Sequence, residues 1–354
     1  MSAAALAALP VQTLSRLARL VSLGDPAETF ARIVAGEKVI GGIDDAVWRA
    51  WTACTGLDRI MDERCGRAGI GVTWRGHPSY PFALSAEKHP PPVLFHRGDL
   101  SVLSSRRAGI VGTRTATLAG RNLARRLGAD LSAAGVAVVS GLARGIDIHA
   151  HRGVLAAGGR PVGVVACGLD VVYPPEHAHE WEQVSRHGLL LSEEPPGAPP
   201  EVHKFPQRNR ILAALSEVLV VVESRHRGGS MSTVREAAAR GRTVMAVPGS
   251  PHVAVSEGTN ELIKDGCAPV TCAEDVLVAL SLDTSSFVRA PDPREEPRGD
   301  EDTVLRLLVG RPCTVDQVVL GSGLDHFAAG VALGRLQMKG WAAESNGWWE
   351  ALLH

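Results

Sequence analysis

Six short, wholly apolar segments separated by helical stretches dominate the middle of this chain of 354 residues. Strands that are apolar throughout belong to parallel sheets with helices on both faces, because neither face of such a strand meets water. The candidate strands are 109–111, 136–139, 162–166, 189–191, 218–222 and 244–247, and the candidate helices are 118–133, 146–157, 177–186, 208–215, 231–240 and 259–265. This alternation predicts a Rossmann-like, doubly wound α/β domain over residues 80–281.

The segments before that domain have different patterns. Residues 1–75 have apolar side chains at helical spacing, for example Leu14 and Leu17, which predicts a small helical N-terminal domain. Prolines and glycines cluster between 69 and 98, which predicts an irregular connection that ends in one short strand at 93–95. Neither segment carries a motif with evident chemistry.

The segments after the domain predict a linker and a small module. Residues 289–302 contain three prolines and charges of both signs without periodicity, so we predict a flexible linker over 282–302. Residues 303–354 predict three helices and a hairpin, since Asn346-Gly347 suits a type I′ turn. These elements make a winged-helix-like domain. Because its third helix is mostly apolar, partner docking is a better prediction for it than reading of a DNA groove.

Charge, cysteine usage and hydropathy exclude several classes of protein. The net charge of −1 gives no global signal for nucleic-acid binding, so such binding would depend on local clusters of cations. The six cysteines form no CxxC pair, which predicts reduced thiols and neither disulfides nor a zinc site. No apolar run approaches about 20 residues, and the N-terminus lacks a signal-peptide pattern. We therefore expect a cytoplasmic protein without a membrane segment.

Three loops with small residues follow predicted strands, at the edge where open α/β sheets bind ligands. These loops are 112–117, 140–147 and 225–233. The first places Arg114 directly after Gly112 and Thr113, and the second places Arg144 beside a glycine. Small residues allow close approach of the backbone to a ligand, and arginine binds phosphate through two parallel hydrogen bonds. Together the loops predict a phosphate-binding edge.

The block KFPQRNR at 204–210 adds three cations, an aromatic ring and an amide to that edge. Pro206 suits the turn that begins a helix, and the N-terminus of a helix favours anions. An aromatic face beside phosphate-binding cations is typical of sites for single-stranded nucleic acid. Taken alone, the block is equally compatible with an ordinary helix surface whose arginines pair with carboxylates.

Asp147, His149 and His151 are the cluster that most suggests a metal site. On a helix, residues 149 and 151 point about 200° apart, so their side chains cannot both bind one ion. The loop 112–117 also lacks the GxGxxG pattern of dinucleotide-binding folds. We therefore expect neither a metal nor another cofactor.

In this order the motifs resemble those of the DNA-processing protein A (DprA, also called Smf) family. The most specific blocks are SGLARGID at 140–147 and FPQRNR at 205–210. The other matching residues are Tyr80-Pro81, Pro91, Pro92, Gly98, IVGTR at 110–114, Ala150, His151, Gly168-Leu169-Asp170, Tyr173-Pro174, Ser192-Glu193, Ile211, Ser216, Val247-Pro248-Gly249 and Gly258-Thr259-Asn260.

The resemblance implies an extended Rossmann-like fold with a SAM-like N-terminal domain and a winged-helix-like C-terminal domain. It also implies a non-enzymatic, cytoplasmic homodimer that binds single-stranded DNA in a basic pocket. Such a protein would protect incoming strands and help to load the RecA recombinase, as in natural transformation. The nucleic-acid-binding residues that it implies are Arg114, Arg144, Lys204, Phe205, Arg208 and Asn209, and the phosphate-loop residues are Gly112, Thr113, Gly141, Gly229 and Ser230.

The third loop leaves an enzyme as an alternative. Gly228-Gly229 followed by Thr233 and Glu236 is similar to the PGGxGTxxE loop of nucleoside monophosphate phosphoribohydrolases, in which the glutamate assists cleavage of an N-glycosidic bond. The loop here is one residue longer and has Ser232 where that pattern has the glycine before its threonine. The run Gly228-Gly229-Ser230 also departs from the Ser-Gly-Ser usual in the DprA family. Thr233 and Glu236 equally fit a capping box that needs no ligand. A scaffold that binds only proteins is a further alternative.

Overall fold

A nine-stranded sheet organises the computed structural model, which describes residues 2–285, 287, 290, 292 and 294–352. Its strands are β1 (Gly71–Trp74), β2 (Val93–Gly98), β3 (Arg107–Val111), β4 (Ala137–Ser140), β5 (Val162–Val164), β6 (Leu189–Ser192), β7 (Val218–Val221), β8 (Thr243–Ala246) and β9 (Ala268–Pro269). They lie in the order β1-β2-β6-β5-β4-β3-β7-β8-β9, and every neighbouring pair from β6 to β9 is parallel. The predicted α/β fold with a doubly wound parallel sheet is confirmed.

Helices cover both faces of this sheet. They are α1 (Ser2–Ala7), α2 (Leu14–Val21), α3 (Pro26–Val34), α4 (Asp45–Thr52), α5 (Leu57–Ala68), α6 (Phe82–Ser85), α7 (Leu118–Ala133), α8 (Ile146–Ala156), α9 (Ala178–His187), α10 (Lys204–Leu215), α11 (Ser230–Ala238), α12 (Glu257–Lys264) and α13 (Ala273–Ala279). On β7, Val218 and Val220 pack with α7, α8 and α13, whereas Leu219 and Val221 pack with α10, α11 and α12. None of the described helices combines the length and the hydrophobicity that crossing a bilayer requires.

The segment 69–98 is more regular than its prolines indicate. Our prediction of an irregular connection with a single strand was wrong, because Gly71–Trp74 forms β1 and pairs antiparallel with β2. In turn β2 pairs antiparallel with β6, with Phe95 opposite Ser192. Pairing with the neighbouring strand orders β1, and a strand of four residues is too short for its periodicity to be read from the sequence.

The helix α10 begins at Lys204, whereas the sequence predicted a start at 208. Pro206 therefore lies inside the first turn of the helix. A proline is tolerated there because the amides of the first turn have no acceptor within the helix. In contrast, α7 has the predicted bounds, and the hydroxyl of Thr117 caps it by accepting a hydrogen bond from the amide of Gly120 at 3.0 Å. The block 204–210 consequently lies on the helix itself.

The N-terminal helices α1 to α5 share a buried core with one side of the sheet. Trp51 of α4 and Trp181 of α9 both belong to this core, and both are almost completely buried. The indole nitrogen of Trp51 donates to the carbonyl oxygen of Pro10 at 2.8 Å. Arg64 of α5 forms an ion pair of 2.5 Å with Asp170, which follows β5. The N-terminal region is therefore helical as predicted, while its boundary at residue 75 stays a prediction.

The C-terminal residues form three helices and a two-stranded hairpin. These elements are α14 (Asp300–Gly310), α15 (Val315–Ser322), α16 (His326–Met338), β10 (Ala342–Ser345) and β11 (Trp348–Ala351). At the turn of the hairpin Asn346 and Gly347 have φ angles of 54° and 82°, as a type I′ turn requires. The order of elements agrees with the sequence, and their interpretation as a winged helix stays a prediction.

Part of the predicted linker contacts this C-terminal module. The guanidinium of Arg294 lies 3.6 Å from the centroid of the Trp341 ring and donates to the carbonyl oxygens of Gly340 at 2.6 Å and Leu352 at 2.9 Å. The helix α14 begins at Asp300, within the range 282–302. Pro291 and Pro293 lie outside the described residues. The limits of the linker therefore stay a prediction.

Candidate nucleic-acid interface

A groove of about 520 Å³ lies at the carboxyl ends of β3, β4 and β7. The chain runs from β3 towards β6 on one side of the sheet and returns to β7 on the other side of β3, so the groove lies where the strand order reverses. The predicted site residues that line it are Gly112, Thr113, Arg114, Phe205, Arg208, Asn209, Gly229 and Ser230. The structure thus brings together the loops after β3 and β7 with the first turns of α10.

A narrow crevice of about 20 Å³ shares one wall with this groove. Arg114, Tyr173 and Phe205 line both spaces. Two further predicted residues, Gly141 and Arg144, line the crevice and not the groove. A volume of that size holds roughly one water molecule. The crevice is therefore an extension of the groove wall and too small for a ligand of its own. Lys204 lines neither space.

The exposed surface of the groove combines a cation with an aromatic platform. The guanidinium carbon of Arg114 lies 5.1 Å from the centroid of the half-buried Phe205 ring, which is within the range of a cation–π contact. On the other side, the ring of Tyr173 lies 5.8 Å from that of Phe205 between centroids. Arg114 is exposed, and it has no ion-pair partner in the described part of the chain. Its charge is therefore available to an anion beside a surface on which a planar base can stack.

Arg208 has a different environment, although it belongs to the same block. Its side chain is buried, and one guanidinium nitrogen donates to the carbonyl oxygens of Gly141, at 2.9 Å, and of Val164. Its Nε donates to the side-chain oxygen of Asn209 at 3.1 Å. A Cβ atom at Gly141 would collide with this guanidinium, so a larger residue there would have to displace the Arg208 side chain. Arg208 thus holds the loop after β4 from below and does not present its charge to solvent.

Two further titratable groups are buried in this layer. Asp147 accepts a hydrogen bond from the amide of Gly141 at 3.1 Å, and burial raises its pKa to about 6 against the opposing effect of Arg208. Burial lowers the pKa of His151 to about 4, so this imidazole is neutral at pH 7. We call the buried layer of Arg208, Asp147 and His151 the floor; Arg208 and Asp147 line the groove, whereas His151 does not. Among the described residues no set of three potential ligands is arranged to hold a metal ion.

Lys204 and Arg144 are both compensated by carboxylates. The ammonium nitrogen of Lys204 lies 3.0 Å from Glu194 and 3.4 Å from Glu201, and the side chain is only 12% exposed. Arg144 forms an ion pair with Glu176, and this hydrogen bond lowers the pKa of Glu176 to about 2. An anionic ligand would have to compete with these carboxylates, which it does not need to do at Arg114.

Arg225 is a groove residue that our sequence analysis did not select. It lies at the start of the loop after β7, lines the groove and is exposed, and no carboxylate among the described residues pairs with it. Gly228 and Gly229 drew attention to this loop, and the cation three residues earlier was the signal that could have found Arg225. We call Arg114, Phe205 and Arg225 the rim of the groove.

The start of α11 bears on the enzyme alternative. Because α11 begins at Ser230, Thr233 lies inside the helix, and the predicted capping box of Thr233 and Glu236 is wrong. The carboxylate of Glu236 lies 2.6 Å from the guanidinium of Arg240, and Glu236 does not line the groove. A glutamate that assists cleavage of an N-glycosidic bond would have to face the substrate. Nothing in this geometry favours that chemistry.

Comparison with known proteins identifies relatives over most of the chain. The family model described as DNA recombination-mediator protein A matches residues 71–281. The DNA processing protein DprA of Bacillus subtilis is 41% identical over 213 residues, which is 60% of this chain and 72% of that protein. Protein Smf of Escherichia coli is 36% identical over 275 residues, or 76% of this chain and 74% of that protein.

Two solved structures are similar in fold. The X-ray structure of DprA from Streptococcus pneumoniae has a TM-score of 0.67 and 29% identity, and the match covers 78% of this chain and 95% of that one. DNA processing protein A from Helicobacter pylori, whose structure is described for its single-stranded DNA binding mode, has a TM-score of 0.55 and 28% identity, covering 60% of this chain and 95% of that one.

Proposed function

The chain belongs to the DNA recombination-mediator protein A family, and from this premise we propose that its groove binds single-stranded DNA without cutting it. The family consists of DNA-processing proteins and not of enzymes, so the predicted non-enzymatic role is confirmed at that level. One observation carries the proposal for the groove: the unpaired guanidinium of Arg114 stands over the ring of Phe205 at the mouth of the groove.

The rim supplies the two kinds of contact that a single strand needs. Arg114 and Arg225 have donors free for phosphate oxygens, and guanidinium binds phosphate through two parallel hydrogen bonds. Phe205, with Tyr173 beside it, offers a face on which an unpaired base stacks without its sequence being read. Bases in a duplex are already stacked on one another, so this platform favours single strands.

The floor contributes indirectly to the same site. Arg208 and Asp147 fix the loop after β4, whose backbone forms part of the crevice beside Arg114. The phosphate loops at Gly112 and Gly229 add backbone close to the bound strand without adding charge. Affinity should accordingly depend strongly on salt and weakly on sequence.

Further parts of the proposal are supported by the family resemblance. We propose that the protein is a cytoplasmic homodimer that protects incoming strands and helps to load the RecA recombinase onto them. A recombinase-loading assay tests this part separately, because a protein that only binds DNA would block the recombinase and not accelerate its filament formation. The SAM-like and winged-helix-like end modules, 1–75 and 303–354, would then serve for contacts with partner proteins.

Binding of fluorescent oligonucleotides tests the proposal directly. We expect clear preference for a single strand over a duplex of the same sequence, at two salt concentrations. Arg114→Ala should weaken binding by roughly tenfold, the effect of losing one hydrogen-bonded charge, whereas Arg59→Ala on α5 should not. Equal binding of both variants would show that the strand does not bind in the groove. Release of free base from nucleoside monophosphates would instead support the phosphoribohydrolase. If the protein bound neither the single strand nor the duplex, a scaffold that binds only proteins would be the remaining alternative.

A further inference from the structure

We propose that the bound strand continues beyond the groove along the surface formed by α7 and α8, where its phosphates contact Arg121 and Arg125. This inference rests on the proposed function and adds a second contact surface to it. Both arginines are exposed and lie one turn apart on α7. The surface of Arg121, Arg125, His149 and Arg152 is called the helix patch below.

Close packing of the two helices brings the arginines of the helix patch together. Arg152 pairs with Glu180 at 2.6 Å, so the uncompensated charge of the patch comes from Arg121 and Arg125. Gly153 of α8 leaves no room for a Cβ atom against the carbonyl oxygen of Arg125, so the backbones touch at this point. His149 lies among the resulting cations. Burial lowers its pKa, the hydrogen bond to Gly145 opposes this, and the charges of Arg152, Arg121 and Arg125 lower the pKa further.

The positive charge of Arg121 and Arg125 is not compensated within the described residues. Neither of them has an ion-pair partner there, and the first turn of α7 contains no acidic residue. The acidic residue of α7, Asp130, pairs with Arg126 at 2.8 Å. Like charges four residues apart on a helix repel each other and destabilise it. An anionic ligand that spans both arginines removes this repulsion.

Backbone and side-chain hydrogen bonds connect the helix patch to the groove. The amide of Ile146 donates to the carbonyl oxygen of Thr113 at 3.3 Å, which joins the start of α8 to the loop that carries Arg114. The Nδ1 atom of His149 donates to the carbonyl oxygen of Gly145 at 2.8 Å. The start of α8 is therefore joined to the loop that carries Arg114, and the proposed path of the strand leaves the groove on this side.

The composition of the helix patch fits a phosphate backbone better than a protein partner. Leu118 is the large hydrophobic side chain of α7 that is exposed, and the described residues of α8 expose none. Protein interfaces bury an apolar centre, which this surface does not offer. No aromatic residue other than histidine occurs on either helix, so the contacts would be to phosphates and not to bases.

The length of the strand distinguishes contacts with the helix patch from contacts within the groove. The full-length protein is titrated with fluorescent oligothymidylates of about six nucleotides, to fill the groove, and about 25 nucleotides, to reach the helix patch. The double variant Arg121→Gln/Arg125→Gln should retain the affinity for the short strand and lose roughly fivefold in affinity for the long one. Its salt dependence on the long strand should become shallower by about 1.4, since each phosphate contact with a single strand contributes about 0.7.

A matched control has the same loss of charge elsewhere. Arg49→Gln/Arg59→Gln removes two exposed arginines from α4 and α5 and should leave both strands bound as in the wild type. The inference is overturned if the Arg121/Arg125 variant binds the long strand with unchanged affinity and salt dependence, in which case an acidic protein surface becomes the better partner. It is also overturned if both strands weaken equally. Failure of the wild type to bind even the short strand would instead contradict the proposed function.

Discussion

The floor and the rim of the groove use the same kinds of residue for opposite purposes. Arg208 in the floor directs its guanidinium at backbone carbonyl oxygens and is buried, whereas Arg114 on the rim is exposed beside Phe205. Both arginines belong to blocks that point to nucleic acid, and only their acceptors distinguish them. An arginine whose donors are already satisfied by the protein stabilises a site, and one whose donors are free can bind a ligand.

The largest expected effect concerns the floor. Arg208→Ala removes the hydrogen bonds to Gly141 and Val164 and leaves the buried Asp147 without its nearby cation. We expect the free energy of unfolding to fall by about 3–5 kcal/mol, the usual cost of leaving a buried charge without a nearby opposite charge. Urea denaturation measures this change. The control is Arg225→Ala on the rim, whose free energy of unfolding should stay within about 0.5 kcal/mol of the wild-type value. If the Arg208→Ala protein were as stable as the wild type, the floor would not stabilise the fold more than the rim does.

The second effect is a pH dependence that also belongs to the floor. In the folded state His151 takes up a proton only near pH 4, whereas in the unfolded chain it does so near pH 6.5. Because the unfolded state binds this proton more tightly, the stability that His151 contributes is complete above pH 6.5 and is lost as the pH falls towards 4.

The variant His151→Gln isolates this contribution. As the pH falls from 6.5 to 4, the wild type should lose stability that the variant keeps. The free energy of unfolding of the variant, relative to that of the wild type, should therefore rise by about 3 kcal/mol, since a shift of one pKa unit corresponds to about 1.4 kcal/mol. Asp147 titrates in the opposite sense but is present in both proteins, so it cancels in the difference. Stability curves that run parallel over this range would show that His151 is not buried as described.

The third effect concerns the rim and should leave the fold intact. Phe205→Ala removes the stacking platform, and we expect binding of a single strand to weaken by about 1–3 kcal/mol, the range for loss of one stacked base. Phe205→Tyr should bind like the wild type, because its ring has the same face. Fluorescence anisotropy measures both. If alanine and tyrosine have equal effects, the ring makes no contact with a base.

The smallest effect tests the position of Lys204 between floor and rim. Its ammonium group pairs with Glu194 at 3.0 Å, so Glu194→Gln should make this charge more available to a phosphate. We expect affinity for a single strand to increase only about twofold, because Glu201 still lies 3.4 Å from the ammonium nitrogen. Glu350→Gln, the same change in the C-terminal hairpin, is the control. Weaker binding by Glu194→Gln would show that Lys204, like the floor residues, stabilises the site and does not bind the strand.

The sheet could be predicted from the sequence, and so could the edge at which the groove lies. Segments such as 218–222 are apolar throughout, and this pattern depends only on neighbouring residues. The carboxyl ends of parallel strands meet at one edge whatever the detailed packing, which is why the loops after β3 and β7 come together as expected. In contrast, β1 exists because of its pairing with β2, and its own four residues carry too little information.

The acceptors of each cation could not be predicted. Arg208 bonds to the carbonyl oxygens of Gly141 and Val164, which are 67 and 44 residues away in the sequence. Such contacts depend on tertiary packing and leave no local pattern. The same reason explains why the two carboxylates beside Lys204 were not foreseen when it was predicted to bind nucleic acid, and why Arg225 was not selected. The sequence specified where positive charge is concentrated, and the three-dimensional packing decides which charges remain available.

Photocrosslinking tests the central claim most directly. An oligonucleotide that contains 5-iodouracil reacts with aromatic side chains against which its base is stacked, and mass spectrometry then identifies the modified residue. For the wild-type protein we predict adducts on Phe205 or Tyr173, which form one face of the groove, and their loss in Arg114→Ala at the same strand concentration. Adducts confined to aromatic residues away from the groove, such as Trp348 in the C-terminal hairpin, would contradict the account.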